Sequence, residues 1–170
     1  VTADAYERRF ALGAARGRFR VTHDPARRAL IAAIAIDRVD HLDRLVARLR
    51  AMFDLDADPQ GIGAAFAGDD LIAPRLASVP GLRLVQSFDP FEAGLRAVIG
   101  QQISVKGAAT LLGRLAARCT GTDAPVIPAP EAVLAADLGG LGLTGARIAS
   151  LAAWARFAAA PGALDALRFQ

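Results

Sequence analysis

The stretch "DPFEAGLRAVIGQQISVKGAATLLGRL" occupies residues 89–115. Two helical patterns meet inside it, at the joint "GQQIS". The first begins cleanly: Asp89 is the expected N-cap, Pro90 takes the first helical position, and Glu92 completes an Asp-x-x-Glu capping box. Phe91, Leu95, Val98 and Ile99 recur at helical spacing and predict its buried stripe. Ser104 is placed to cap the second helix, with Val105, Ala108, Leu111, Leu112 and Leu115 expected to face inward. Between the two helices stand Gln101 and Gln102. A plain turn more often uses Gly, Asn or Asp, and a core has no use for two amides.

Glutamine carries donors and an acceptor on a long reach. It can hydrogen-bond base edges in a minor groove, or fill space when a base leaves the stack. Lys106 follows in the first turn of the second helix, where backbone N–H groups favour phosphate. Gln101, Gln102, Ser104 and Lys106 therefore form a candidate nucleic-acid contact. A polar inter-helix turn without a partner is the competing reading of the same residues.

Outward from this joint, the chain after about Pro59 reads helical. "DPQGIGAAFAG" and "DDLIAPRLASVPG" are short helices or turns broken by Gly and Pro. Pro130 opens "PEAVLAAD", the glycine-rich "GGLGLTG" reads as a tight bend, and Thr144 is placed to cap "GARIASLAAWARFAAA". Before Pro59 the texture differs. "YERRFAL" and "GRFRV" alternate, and "ALIAAIAI" is a short apolar run, with turn chemistry in "AARG" and "THDPARR". Three strands in sequence predict an antiparallel meander. "DHLDRLVARLRAMFDL" then switches to a helical period, with Asp40 as its expected N-cap. The fold class expected is α+β: an antiparallel sheet with helices over 1–84, then an all-helical part over 85–170, divided at the 80–87 break.

The chain has 170 residues, 54% hydrophobic and 22% charged, as a folded globular chain should. Its apolar runs fall short of the roughly 18 residues of a membrane span, so no membrane partner is expected. Net charge is +3, and Lys106 is the only lysine beside a large arginine complement. Arginine suits bidentate phosphate contacts. One cysteine, Cys119, excludes an internal disulfide and suits a reducing cytoplasm. Cys119 reads as an inert helix thiol, with no histidine near it in sequence to activate it. His23 and His41 stand apart from any ligand-spaced cluster, so no metal is expected. "GGLGLTG" matches neither dinucleotide nor P-loop spacing, so no nucleotide cofactor is expected. Glu92 reads as a capping residue rather than an acid or base. Asp137 and Asp165 lie in ordinary helix-end contexts. Trp154 reads as core or interface.

The segment "DPFEAGLRAVIGQQISVKGAATLLGRLAAR" closely resembles the signature segment of DNA-3-methyladenine glycosylase II, the AlkA type of the helix-hairpin-helix DNA glycosylases. "LGLTGARIASLAAWARFAA" resembles the helix that follows it there. "VTADAYERRFAL", "GRFRV" and "HLDRLVARLRAMFDLDADPQGIG" resemble the amino-terminal sheet-and-helix domain. The resemblance implies a DNA repair enzyme that flips alkylated bases of the 3-methyladenine type and cleaves their N-glycosidic bond. It implies that Gln101 and Gln102 enter the minor groove of double-stranded DNA. Gln102 stands where some members carry an apolar wedge such as Leu, so here the gap would be filled by hydrogen bonding.

By the same resemblance, the helix-hairpin-helix turn and the catalytic aspartate are expected beyond Gln170, and no catalytic residue is assigned within the chain. The isolated chain is then expected to be inactive, to belong to a cytoplasmic, nucleoid-associated protein, and to be prone to self-association. Two rivals remain: a non-catalytic DNA-binding or damage-sensing module of an adaptive-response regulator fusion, and a structural fragment without a DNA role.

Overall fold

The structure, a computed structural model, describes residues 4–121 and 126–164. Asp165 lies outside the described residues, as do the ends of the chain. Three strands form an antiparallel sheet in the order β1 (Ala5–Leu12), β2 (Ala15–Asp24), β3 (Ala29–Ile36). Among the described residues seven α-helices follow: α1 (Leu42–Met52), α2 (Pro59–Ala65), α3 (Ala73–Ser78), α4 (Pro90–Gly100), α5 (Val105–Thr120), α6 (Pro130–Ala135) and α7 (Gly145–Ala159). The chain divides into two compact units, one comprising 1–39 with 89–170 and the other comprising 40–88.

In the first unit, alternation along the strands sorts the sheet into two faces. Phe10, Leu12, Ala15, Phe19 and Val21 are buried on one face. Cross-strand pairing sets Phe19 opposite Arg8 and Ile34, and the Phe19 ring contacts Tyr6 and Phe10 at centroid distances of 6.0 and 5.9 Å. Arg9, Arg16, Arg18 and Arg20 lie exposed on the other face. The β2–β3 turn is built as the sequence foretells: the Asp24 carboxylate accepts from the Arg27 N–H at 3.0 Å, and the Pro25 carbonyl accepts from the Arg28 N–H at 3.2 Å.

The helices of this unit share one core. Phe91, Leu95 and Ile99 of α4 meet Leu112 and Leu115 of α5, Val133 of α6, and Leu151 and Ala155 of α7. Each side chain of this size contributes roughly 1.5–3 kcal/mol on full burial. Trp154 of α7 stacks between Phe91 and Phe157, at 6.1 and 5.6 Å between ring centroids. Its indole N–H donates to the Phe91 carbonyl at 3.0 Å. The approach is close because Gly94 has no side chain: a Cβ there would fall inside contact distance of the indole ring. Leu138, just before the "GGLGLTG" bend, and Leu141 within it join the core; Gly140 and Gly142 of the bend take φ of 72° and 85°.

In the second unit, α1 buries Leu45, Leu49 and Met52. The segment leading to α4 is pinned to the end of α1. The Gln86 N–H donates to the Met52 carbonyl at 2.8 Å, the Leu84 N–H to the Asp54 carboxylate at 3.0 Å, and the Arg83 guanidinium to the Asp54 and Ala57 carbonyls. Asp58 caps α2 by accepting from the Gln60 N–H at 3.0 Å. Asp40 does not cap α1. It sits inside a short 3₁₀ turn at Val39–His41, and His41 becomes the flanking residue without a side-chain cap. No helix among the described residues is long and apolar enough to cross a membrane.

Candidate nucleic-acid interface

The joint between α4 and α5 is a tight turn. Gln101 has φ −59° and ψ 126°, Gln102 has φ +57°, and the Gly100 carbonyl accepts from the Ile103 N–H at 3.5 Å. These angles match a type II turn, whose third position calls for glycine or asparagine. A left-handed residue with a Cβ costs roughly 1–2 kcal/mol. Gln102 therefore holds a position that its side chain makes unfavourable, and both glutamines lie exposed at the turn.

The surroundings fix the turn rigidly. Ile99 is fully buried one residue before Gly100, and Ile103 packs against the helical core. Ser104 caps α5: its hydroxyl oxygen accepts from the Gly107 N–H at 3.1 Å. Lys106 is exposed in the first turn of α5, and its carbonyl accepts from the Thr110 hydroxyl at 3.0 Å. Thr144 caps α7, accepting from the Arg147 N–H at 3.3 Å. From there the Arg147 guanidinium reaches across and donates to the Gln101 carbonyl at 2.6 Å. The start of α7 is thus clamped to the glutamine turn.

Gln101, Gln102, Ser104 and Lys106 stand together at the start of α5. Arg147 was not legible as a partner of theirs. One signal pointed to it: a cation in the first turn of a helix opposes the helix dipole and so has some other task. Val105 departs from the expected inward stripe. It is 89% exposed, because the first turn of α5 projects beyond the packed part of the helix, and the inward set begins at Ala108.

The carboxylates are otherwise engaged. Asp89 caps α4, accepting from the Phe91 N–H at 2.9 Å. Glu92 is 2% exposed. It accepts from Arg96 at 2.7 Å and forms an ion pair with Arg8 of β1. Burial alone would lower the Arg8 pKa, but the bond and charge of Glu92, with a smaller contribution from Tyr6, hold it above the usual arginine value. Asp137 accepts from the Gly139 N–H at 2.8 Å and shapes the bend before α7. On Cys119, burial pushes the thiol pKa up, partly opposed by Arg118.

The structure matches a 3-methyladenine DNA-glycosylase from Archaeoglobus fulgidus with a TM-score of 0.70, over 92% of this chain and 56% of that one, at 20% identity. Residues 1–89 match the AlkA N-terminal domain family, and the chain belongs to that family. Among relatives, Mycobacterium tuberculosis "Probable bifunctional transcriptional activator/DNA repair enzyme AlkA" is 36% identical over 97 residues, covering 57% of this chain and 20% of that protein. Escherichia coli DNA-3-methyladenine glycosylase 2 is 36% identical over 112 residues, covering 65% of this chain and 37% of that protein. The chain thus spans well under half the length of either relative.

Proposed function

We propose that this chain is part of a DNA base-excision-repair N-glycosylase that removes alkylated bases of the 3-methyladenine type. The observation that carries the reading is the glutamine turn: two exposed amides held on a strained backbone, between two capped helix starts and beside Lys106. Gln101 and Gln102 would enter the minor groove of duplex DNA and bond to base edges as a damaged base leaves the stack. Ser104 would hold the helix start behind them, and Lys106 would meet a phosphate. The parent protein would act in the cytoplasm on nucleoid DNA.

Catalysis would be supplied elsewhere in the parent. Glu92 is consumed by two arginines and Asp137 by its turn, so neither is placed to steady an oxocarbenium-like transition state. Incubation of the 170-residue chain with methylated DNA should release no 3-methyladenine; its release would contradict this assignment. The name of the mycobacterial relative, a transcriptional activator joined to a DNA repair enzyme, favours a second reading of the context, in which the same piece serves a regulator fusion as a damage-sensing module.

Fluorescence anisotropy with duplex DNA tests the interface. At low salt, where phosphate contacts count most, the chain should bind more tightly than its Gln101→Ala/Gln102→Ala/Lys106→Ala variant. Equal binding by the two, or binding by neither, overturns the reading.

A further inference from the structure

The face of the sheet opposite Phe19 carries charge out of proportion to the rest of the fold. Arg16, Arg18 and Arg20 alternate along β2, and Arg9 of β1 pairs directly across from Arg18. Like charges directly opposite on a sheet are destabilising. Among the described residues, neither the Arg9 nor the Arg18 guanidinium has a hydrogen-bond or ion-pair partner. The acids of this face are Glu7, which pairs with Arg20 at 3.0 Å with both side chains more than half exposed, Asp37, which accepts from the Arg16 backbone N–H at 2.7 Å, and Asp24 at the far end of β2, which is engaged by Arg27. The Arg16 guanidinium donates to the Gly13 and Ala15 carbonyls, so its charge is not neutralised by these bonds. On β3, small residues face this row: Ala33 lies across from Arg20 and Ala35 across from Arg18. They leave an open hollow of about 560 Å³ between the arginines and the sheet edge.

We propose that this face is a second nucleic-acid contact, in which the arginines of β2, with Arg9, hold successive backbone phosphates of one strand. Alternate residues on a strand stand about 6.8 Å apart, comparable with the separation of neighbouring phosphates along a nucleic-acid strand. Arginine suits bidentate phosphate contact. An anion between Arg9 and Arg18 would also relieve their mutual repulsion. Among the described residues this face has no exposed aromatic ring, so it would read phosphates and not bases. The inference rests on the DNA reading above only in choosing nucleic acid over other polyanions, since it uses none of the residues of the glutamine turn.

The test compares the 170-residue chain with Arg9→Gln/Arg18→Gln, Glu7→Gln and Gln101→Ala/Gln102→Ala variants, on an unmodified DNA single strand across a salt series. Removing two phosphate contacts should reduce the slope of log K against log salt by about 1.4, at about 0.7 per contact on a single strand. Glu7→Gln, which removes the acid and leaves every arginine, should tighten binding. The glutamine variant should leave the single-strand slope unchanged. An unchanged slope in the double arginine variant overturns the proposal, and so does poly-aspartate competing as well as DNA, which would mark the face as a surface for acidic protein. With the same variants in the duplex assay above, weaker duplex binding by the glutamine variant together with an unchanged single-strand slope in the arginine variant removes the second contact and leaves the function; a reduced slope in the arginine variant with unweakened duplex binding by the glutamine variant does the reverse.

Discussion

Replacing Gln102 by glycine separates what the turn needs from what DNA would need. The backbone at Gln102 has φ +57°, a conformation that roughly 1–2 kcal/mol disfavours for a residue with a Cβ. Glycine relieves that penalty but loosens the unfolded chain by roughly 0.4–1 kcal/mol. The net expectation is a variant unchanged or stabilised by up to about 1.5 kcal/mol. The Ile103–Gly100 bond across the turn and the Arg147 bond to the Gln101 carbonyl are main-chain acceptors and survive the change. Duplex binding should move the other way. Loss of one base-edge amide is worth about 1–2 kcal/mol, a five- to thirtyfold weaker complex. Urea unfolding and anisotropy on the same preparation check both halves. Asparagine, which tolerates the left-handed region and keeps a shorter amide, should match glycine in stability and bind between glycine and wild type. A glycine variant destabilised by more than 1 kcal/mol, or one that binds duplex as well as the parent, would refute the reasoning, because the side chain would then serve the fold or nothing.

Three further outcomes follow from the same geometry. Glu92→Gln removes the anion shared by Arg8 and Arg96. Stability should fall by about 3 kcal/mol, the low end for a broken buried pair, since Arg8 is still 15% exposed and can reach water; a denaturant midpoint unchanged from the parent would exclude a structural role for the pair. Gly94→Ala places a methyl against the Trp154 ring, and should cost about 1–3 kcal/mol by overpacking and shift the tryptophan emission as the indole leaves the Phe91 carbonyl. Cys119 should alkylate with iodoacetamide more slowly in the native chain than in urea near pH 8, because burial raises its pKa when folded. The sign for stability follows: this contribution is complete below the unfolded thiol value of about 9 and is lost as pH rises through the folded value.

The sheet was legible because its signals are local. Alternation in "RFRV" and turn chemistry in "THDPARR" define the β2 pattern and the β2–β3 connection without help from the rest of the chain. The same holds for Ser104 and Thr144, whose caps involve residues three positions away. Glu92 shows where local reading stops. Its spacing from Asp89 fits a capping box, yet its carboxylate is held by Arg8, a residue on β1 that no local pattern could bring to α4. Val105 fits the helical period of α5 but is exposed in its first turn, ahead of the inward set that begins at Ala108. The two glutamines were conspicuous in sequence, but the left-handed backbone of Gln102 was not, because the residue type argues against it.

Arg147 and Glu92 together explain how a strained turn can persist. Strain at one residue survives only where its neighbours over-determine it. Here the α4 end is fixed by buried Ile99, the α5 end by the Ser104 cap, and the carbonyl between them by a charged donor from α7. At its other end, α4 is tied to the sheet through Glu92 and Arg8. A turn that only joined two helices would relax by exchanging Gln102 for glycine, at no loss to the frame. Two exposed amides on a backbone held in place from three sides are what the proposed DNA contact calls for, since its side chains must arrive at a groove already positioned.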